Sequence, residues 1–135
     1  MLDMIGDGTA LVREFVARID DAASITGSYA DWRDRDVVGH IVGWMDYSID
    51  KLSCIKLGTA QSDEYAGVAS LDQINELLYQ KTRAKPKEEM EGLYIRSLGA
   101  YITVVAMYSN DELNKDSFPI GFTMDLWRYL LMDTV

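Results

Sequence analysis

Apolar residues return every three to four positions along nearly the whole chain, and two-residue alternation hardly occurs, so the pattern predicts an all-α protein. The first stripe holds Leu11, Val12, Phe15, Val16, Ile19 and Ala22, with Arg13, Glu14, Arg18 and Asp21 mostly opposite. Gly6-Asp7-Gly8-Thr9 reads as a breaker before that helix, with Asp7 or Thr9 as its cap. Residues 24–30 read as a loop. A longer run opens near Asp34 and reaches about Leu57, carrying Val38, Ile41, Val42, Met45, Ile49 and Leu52. A second stripe on it, Val37, His40, Trp44 and Tyr47, predicts a helix buried on more than one side. Within it Gly39 and Gly43 each cost about 1 kcal/mol relative to alanine, so something should compensate, and their shared face would let a neighbouring backbone or a ligand come close.

Gly58 fits a helix C-cap, and residues 58–69 form an acidic connection long enough to be a lid or a mobile segment. Ser70-Leu71-Asp72-Gln73 has capping-box form and opens a short helix with Ile74, Leu77 and Leu78. Residues 81–85 interrupt it, and Pro86 suits the first position of a helix running to about Tyr108. That helix should bury Leu98, Ile102 and Val105, with Tyr94, Tyr101 and Val104 nearby. Ser109-Asn110-Asp111-Glu112 is another capping box. Pro119 and Gly121 mark a loop, and Thr123 can cap a last run from Met124 that holds Leu126, Trp127, Leu130 and Leu131. Four principal helices in one domain, residues 1–135, predict a four-helix bundle.

Composition narrows the function classes. With 13 Lys+Arg against 22 Asp+Glu the net charge is −9, which disfavours nucleic acid and anionic membrane as partners. At 135 residues a fold should bury roughly 70% of the unfolded chain's surface, and 48% apolar content makes disorder a poor description. The longest uncharged stretch, residues 97–110, is 14 residues and falls short of a membrane span. Asp3 and Asp7 stand where a signal peptide would be basic, and Cys54 alone excludes an intrachain disulfide, so the expected location is cytoplasmic.

Candidate chemistry centres on the single histidine. His40 is either a partly buried histidine held by a carboxylate or carbonyl, or a metal ligand or general base. Metal binding through His40 would need carboxylates such as Asp36, Asp46 or Asp133 beside it. Cys54 lies 14 residues along the same helix, about 21 Å away, so the two cannot form a nucleophilic dyad within one chain. Trp44, Tyr47, Tyr101 and Trp127 are either ordinary core or, with His40, the lining of an apolar pocket with polar tips. Trp32 reads as a hydrophobic staple over the start of the long helix.

The segment Trp32-Arg33-Asp34-Arg35-Asp36-Val37-Val38-Gly39-His40-Ile41-Val42-Gly43-Trp44 resembles the second helix of the DinB-like superfamily. That superfamily includes the mycothiol-dependent maleylpyruvate isomerase-like proteins and the colibactin-resistance group. Fainter similarity reaches Ile74-Asn75 and extends from Pro86 to Leu113. The resemblance implies a four-helix bundle of up-up-down-down connectivity. It also implies a divalent-metal site of three histidines, one on the second helix and two in a His-x-x-x-His pair on the fourth. His40 matches the first position; residues 124–135 contain no histidine, with Asp133 a carboxylate near the missing positions. Either the metal site is degenerate and no cofactor is held, or the pair lies beyond Val135 and a divalent metal is bound. The leading expectation is therefore a small-molecule-binding or protective protein without catalysis, forming a homodimer. The alternatives are a metal-dependent thiol S-transferase or hydrolase using His40, and an acidic module for a basic protein partner.

Overall fold

The computed structural model describes residues 2–19, 33–68 and 70–113. Among them are five helices and no strand: α1 Leu2–Arg18, α2 Asp34–Leu57, α3 Leu71–Thr82, α4 Lys87–Val105 and α5 Asn110–Leu113. The all-α expectation therefore holds, and none of these helices is long and apolar enough to cross a membrane. The expected loop at 24–30, the Trp32 staple and everything from Asn114 onward, including Trp127 and Asp133, lie outside the described residues.

α2 is the central element, packing on α4, α3 and α1. Its boundaries fall where local chemistry puts them. The Asp36 carboxylate accepts the backbone N–H of Arg33 at 2.8 Å, satisfying a donor at the helix start. Gly58 ends the helix at φ 68°, and the N–H of Thr59 reaches back to the Cys54 carbonyl at 2.9 Å, closing a Schellman turn. Val38, Val42, Met45 and Leu52 face a core shared with Val16 and Ile19 of the α1 end and with Met90, Tyr94, Tyr101 and Val104 of α4. Tyr47 faces a second cluster with Tyr65, Ile74 and Leu78. The doubly apolar pattern of α2 thus corresponds to burial on two sides.

The two glycines of α2 face α3. A Cβ on Gly43 would stand 2.8 Å from Leu78 Cβ, and one on Gly39 would stand 2.9 Å from Thr82 Cβ. Their propensity cost is offset by this close helix contact, and the contact is made within one chain.

Helix directions follow from named pairs. Arg13 meets Glu91, and Lys87 Nζ donates to the Ile19 carbonyl at 2.9 Å, so α1 runs opposite to α4. Ser97 meets Asp46 and Tyr108 meets Leu52, so α4 runs in the sense of α2. Gly39 against Thr82 and Gly43 against Leu78 set α3 opposite to α2. α1 and α2 therefore run in opposite senses, which differs from the up-up start of the expected connectivity. The C-terminal ends of α1 and α3 and the N-terminal ends of α2 and α4 gather at one end of the molecule.

Three local expectations change. α1 begins at Leu2, not after Thr9, because Gly6 and Gly8 keep negative φ and continue the helix. Gly8 lies against Tyr94 of α4, where a Cβ would be 3.6 Å from the phenol oxygen. Among the described side chains of α1, Val12 and Val16, with Ile19 just past the helix end, join the core, and Leu11 and Phe15 stay exposed, 67% and 41%. On α4 the buried row is Met90, Tyr94, Ser97, Tyr101 and Val104, with Leu98 and Val105 at its margin, and the helix ends at Val105 rather than Tyr108. α3 and α5 open on the expected caps: Ser70 Oγ accepts the Gln73 N–H at 3.3 Å and Ser109 Oγ the Glu112 N–H at 3.2 Å.

Candidate functional site

His40, Trp44 and Tyr47 follow one another at four- and three-residue spacing, which places them in a row along α2. The His40 and Trp44 rings meet edge to face at 6.2 Å, Trp44 and Tyr47 at 5.6 Å. The row continues across to the connection after α2, where Tyr65 meets Tyr47 at 5.0 Å. Each contact sets a ring edge against a ring face, the arrangement that aromatic quadrupoles favour. Asn75 of α3 fixes the indole by accepting its N–H at 3.1 Å. His40 and Trp44 are half-buried, whereas Tyr47 and Tyr65 are buried.

Charge sits beside the two tyrosines. Lys81 Nζ donates to the Tyr65 phenol oxygen at 3.0 Å and to Glu64 at 3.1 Å, and lies over the Tyr65 ring. Lys51 stands over the Tyr47 ring and reaches its oxygen at 3.4 Å. Burial pushes the Tyr65 phenol above its ordinary 10.0, against the opposing pull of Lys81. Burial also acts to lower the Lys81 ammonium, but its hydrogen bonds to Tyr65 and Glu64 outweigh that and leave it raised. Tyr65 is therefore a neutral anchor and Lys81 a fixed cation. For His40, desolvation by burial holds the imidazole below 6.5, so the neutral ring dominates at pH 7.

The other expected site residues fall elsewhere or are engaged. Tyr101 belongs to the core between α1, α2 and α4, on the other side of α2 from Tyr47, so the structure does not join it to the His40 row. Asp36 is 3% exposed and spends its carboxylate on Arg33, whose Nε lies 3.2 Å away. Asp46 accepts the Ser97 hydroxyl proton at 2.7 Å. Cys54 Sγ donates to the Ala60 carbonyl at 3.1 Å. Among the described residues no three His, Cys, Asp or Glu side chains gather in a way that could hold a metal ion.

The charged residues at the start of α2 have a structural job here. Arg33 and Arg35 both donate to the Arg83 carbonyl, at 2.7 and 2.6 Å, and Arg35 also donates to the Lys85 carbonyl. The start of α2 is thereby tied to the turn between α3 and α4, with Nη2 of the buried Arg35 donating to both backbone oxygens. Sequence reading missed Tyr65, Asn75 and Lys81. The available signal for Tyr65 was a lone aromatic in a polar connection.

Comparison with protein-family models, with curated proteins and with solved structures finds no match to the chain.

Proposed function

We propose that the protein is a small-molecule-binding bundle of DinB-like type whose site is centred on His40 and Trp44. The observation that carries this reading is the half-buried His40–Trp44 pair, a neutral imidazole edge to face with an indole whose N–H is already held by Asn75. Such a pair offers ring surface to an apolar or aromatic ligand. In the four-helix reading α1, α2 and α4 are three of the principal helices, and α3 belongs to the long crossover from α2 to α4. Its support is the central place of α2 and the match of residues 32–44.

A degenerate metal site agrees with the engagement of Asp36 and Asp46. Elemental analysis of protein purified without chelator should find no stoichiometric zinc or nickel, and tightly held metal would favour the thiol-transferase or hydrolase alternative. Homodimerisation rests on the resemblance, since α3 already fills the glycine face; light scattering at micromolar concentration should show a dimer, and a monomer would remove it.

The binding reading is tested with a panel of small aromatic and electrophilic compounds, followed through the His40 imidazole NMR signal. Saturable shifts that weaken in Trp44→Leu support it. A panel that moves no His40 signal, or moves it equally in Trp44→Leu, overturns it.

A further inference from the structure

We propose that residues 58–67 form a latched strap, opening as a unit over the Tyr47 ring while the helices stay folded. Both ends carry a glycine in the left-handed region, Gly58 at φ 68° and Gly67 at φ 81°, and neither has a neighbour within 4 Å of a would-be Cβ. Between them most side chains are exposed, and Tyr65 is the one buried anchor. Short turns hold the strap's own shape, from Tyr65 N–H to the Ser62 carbonyl and from Ala66 N–H to the Asp63 carbonyl. A surface connection that keeps its own turns can swing without disturbing its base.

Two features make the closed state easy to leave. Among the described residues, Gln61 Nε2 and Ser62 Oγ are buried without a hydrogen-bond partner, and opening returns both to water. The latch is a partly exposed group, Lys81 against Glu64 and the Tyr65 phenol, whose side-chain exposures of 33% for Lys81 and 49% for Glu64 leave the ion pair screened by solvent. Opening also gives up two bonds to α2, the Ser62 N–H on the Asp50 carboxylate at 3.3 Å and Cys54 Sγ on the Ala60 carbonyl at 3.1 Å. Opening does not cost the α2–α3 contact, because Gly39–Thr82 and Gly43–Leu78 meet without any strap residue. It does uncover the Tyr47 ring, and with it one side of the aromatic row. The strap needs no ligand, so its test stands apart from that of the binding reading.

Native-state hydrogen exchange of the full chain, read residue by residue, is the experiment. The Ser62 amide, which donates to the Asp50 carboxylate of α2 at 3.3 Å and is freed when the strap lifts, should exchange through an opening that low urea hardly affects, faster than the Val42 amide of α2. Lys81→Met should speed that opening roughly three- to tenfold and leave Val42 unchanged. Glu64→Gln, a surface change that spares the Tyr65 bond, should give a smaller increase and serves if Lys81→Met does not fold. Strap amides that exchange with the same urea dependence as Val42, or that ignore both substitutions, overturn the proposal.

Discussion

Gly43 of α2 and Leu78 of α3 stand so close that a methyl group on the glycine would lie 2.8 Å from the leucine Cβ. Leu78 is fully buried and the atom in contact is its Cβ, fixed by the α3 backbone, so it cannot swing aside. Gly43→Ala should therefore destabilise by about 1–3 kcal/mol through overpacking, although alanine is the better helix former by about 1 kcal/mol. Gly99, exposed on α4 with nothing within 4 Å of its Cβ position, is the control; Gly99→Ala should stabilise by about 0.5–1 kcal/mol. Urea denaturation of the two variants checks the contrast in sign.

Arg35 ties the start of α2 to the α3–α4 turn through the carbonyls of Arg83 and Lys85. Arg35→Met keeps the buried stem and removes the donors; the Arg83 carbonyl keeps Arg33 but the Lys85 carbonyl gives up its arginine partner, and about 1–3 kcal/mol should be lost. Faster hydrogen exchange confined to residues 83–87 and the first turn of α2 is the expected signature. Unchanged stability and exchange would mean that the turn holds without the arginine.

Elements whose ends are set by local chemistry were legible in the sequence. Gly58, Ser70 and Ser109 announced their caps, and the bounds of α2 followed from its unbroken periodicity. Tertiary contact decided the rest. Gly6 and Gly8 resemble a breaker on propensity, yet Gly8 packs on Tyr94, 86 positions later (94 − 8). His40, Trp44 and Tyr47 share one helix face, so their row could be read from spacing. Tyr101 lies on a different helix, and no local pattern says on which side of α2 it will pack. Tyr65 has no periodic company at all, and its burial follows from tertiary neighbours, the ring of Tyr47, the α3 residues Ile74 and Leu78, and the ammonium of Lys81.

His40 supplies a pH test, because it is the chain's single histidine and its NMR signal needs no assignment. Burial lowers its folded-state value below 6.5. Between that lowered value and 6.5 the unfolded chain binds more protons, so stability falls as pH drops through this window and is complete above it. Urea midpoints from pH 7.5 to 5 should fall more steeply for the natural chain than for His40→Gln. A His40 titration midpoint at or above 6.5 would remove the neutral-imidazole site.

Glu112 behaves in the opposite sense. Hydrogen bonds from Lys56 Nζ, at 2.7 and 3.0 Å, and from the Ser109 N–H, at 2.8 Å, favour the carboxylate and bring its value from 4.5 to about 2. Lys56 belongs to the last turn of α2, so this ion pair fastens α5 to the far end of the central helix, where the Tyr108 phenol also donates to the Leu52 carbonyl at 2.6 Å. A lowered carboxylate contributes stability that is complete above about 4.5 and is lost as pH falls from there toward 2. Carbon-13 NMR of the Glu112 carboxyl should show a midpoint near 2 in the natural chain. Lys56→Met should bring it most of the way back to 4.5, and Ser109→Ala, which leaves the backbone N–H in place, should move it less. A natural-chain midpoint near 4.5 would show that α5 is not held to α2 by this pair.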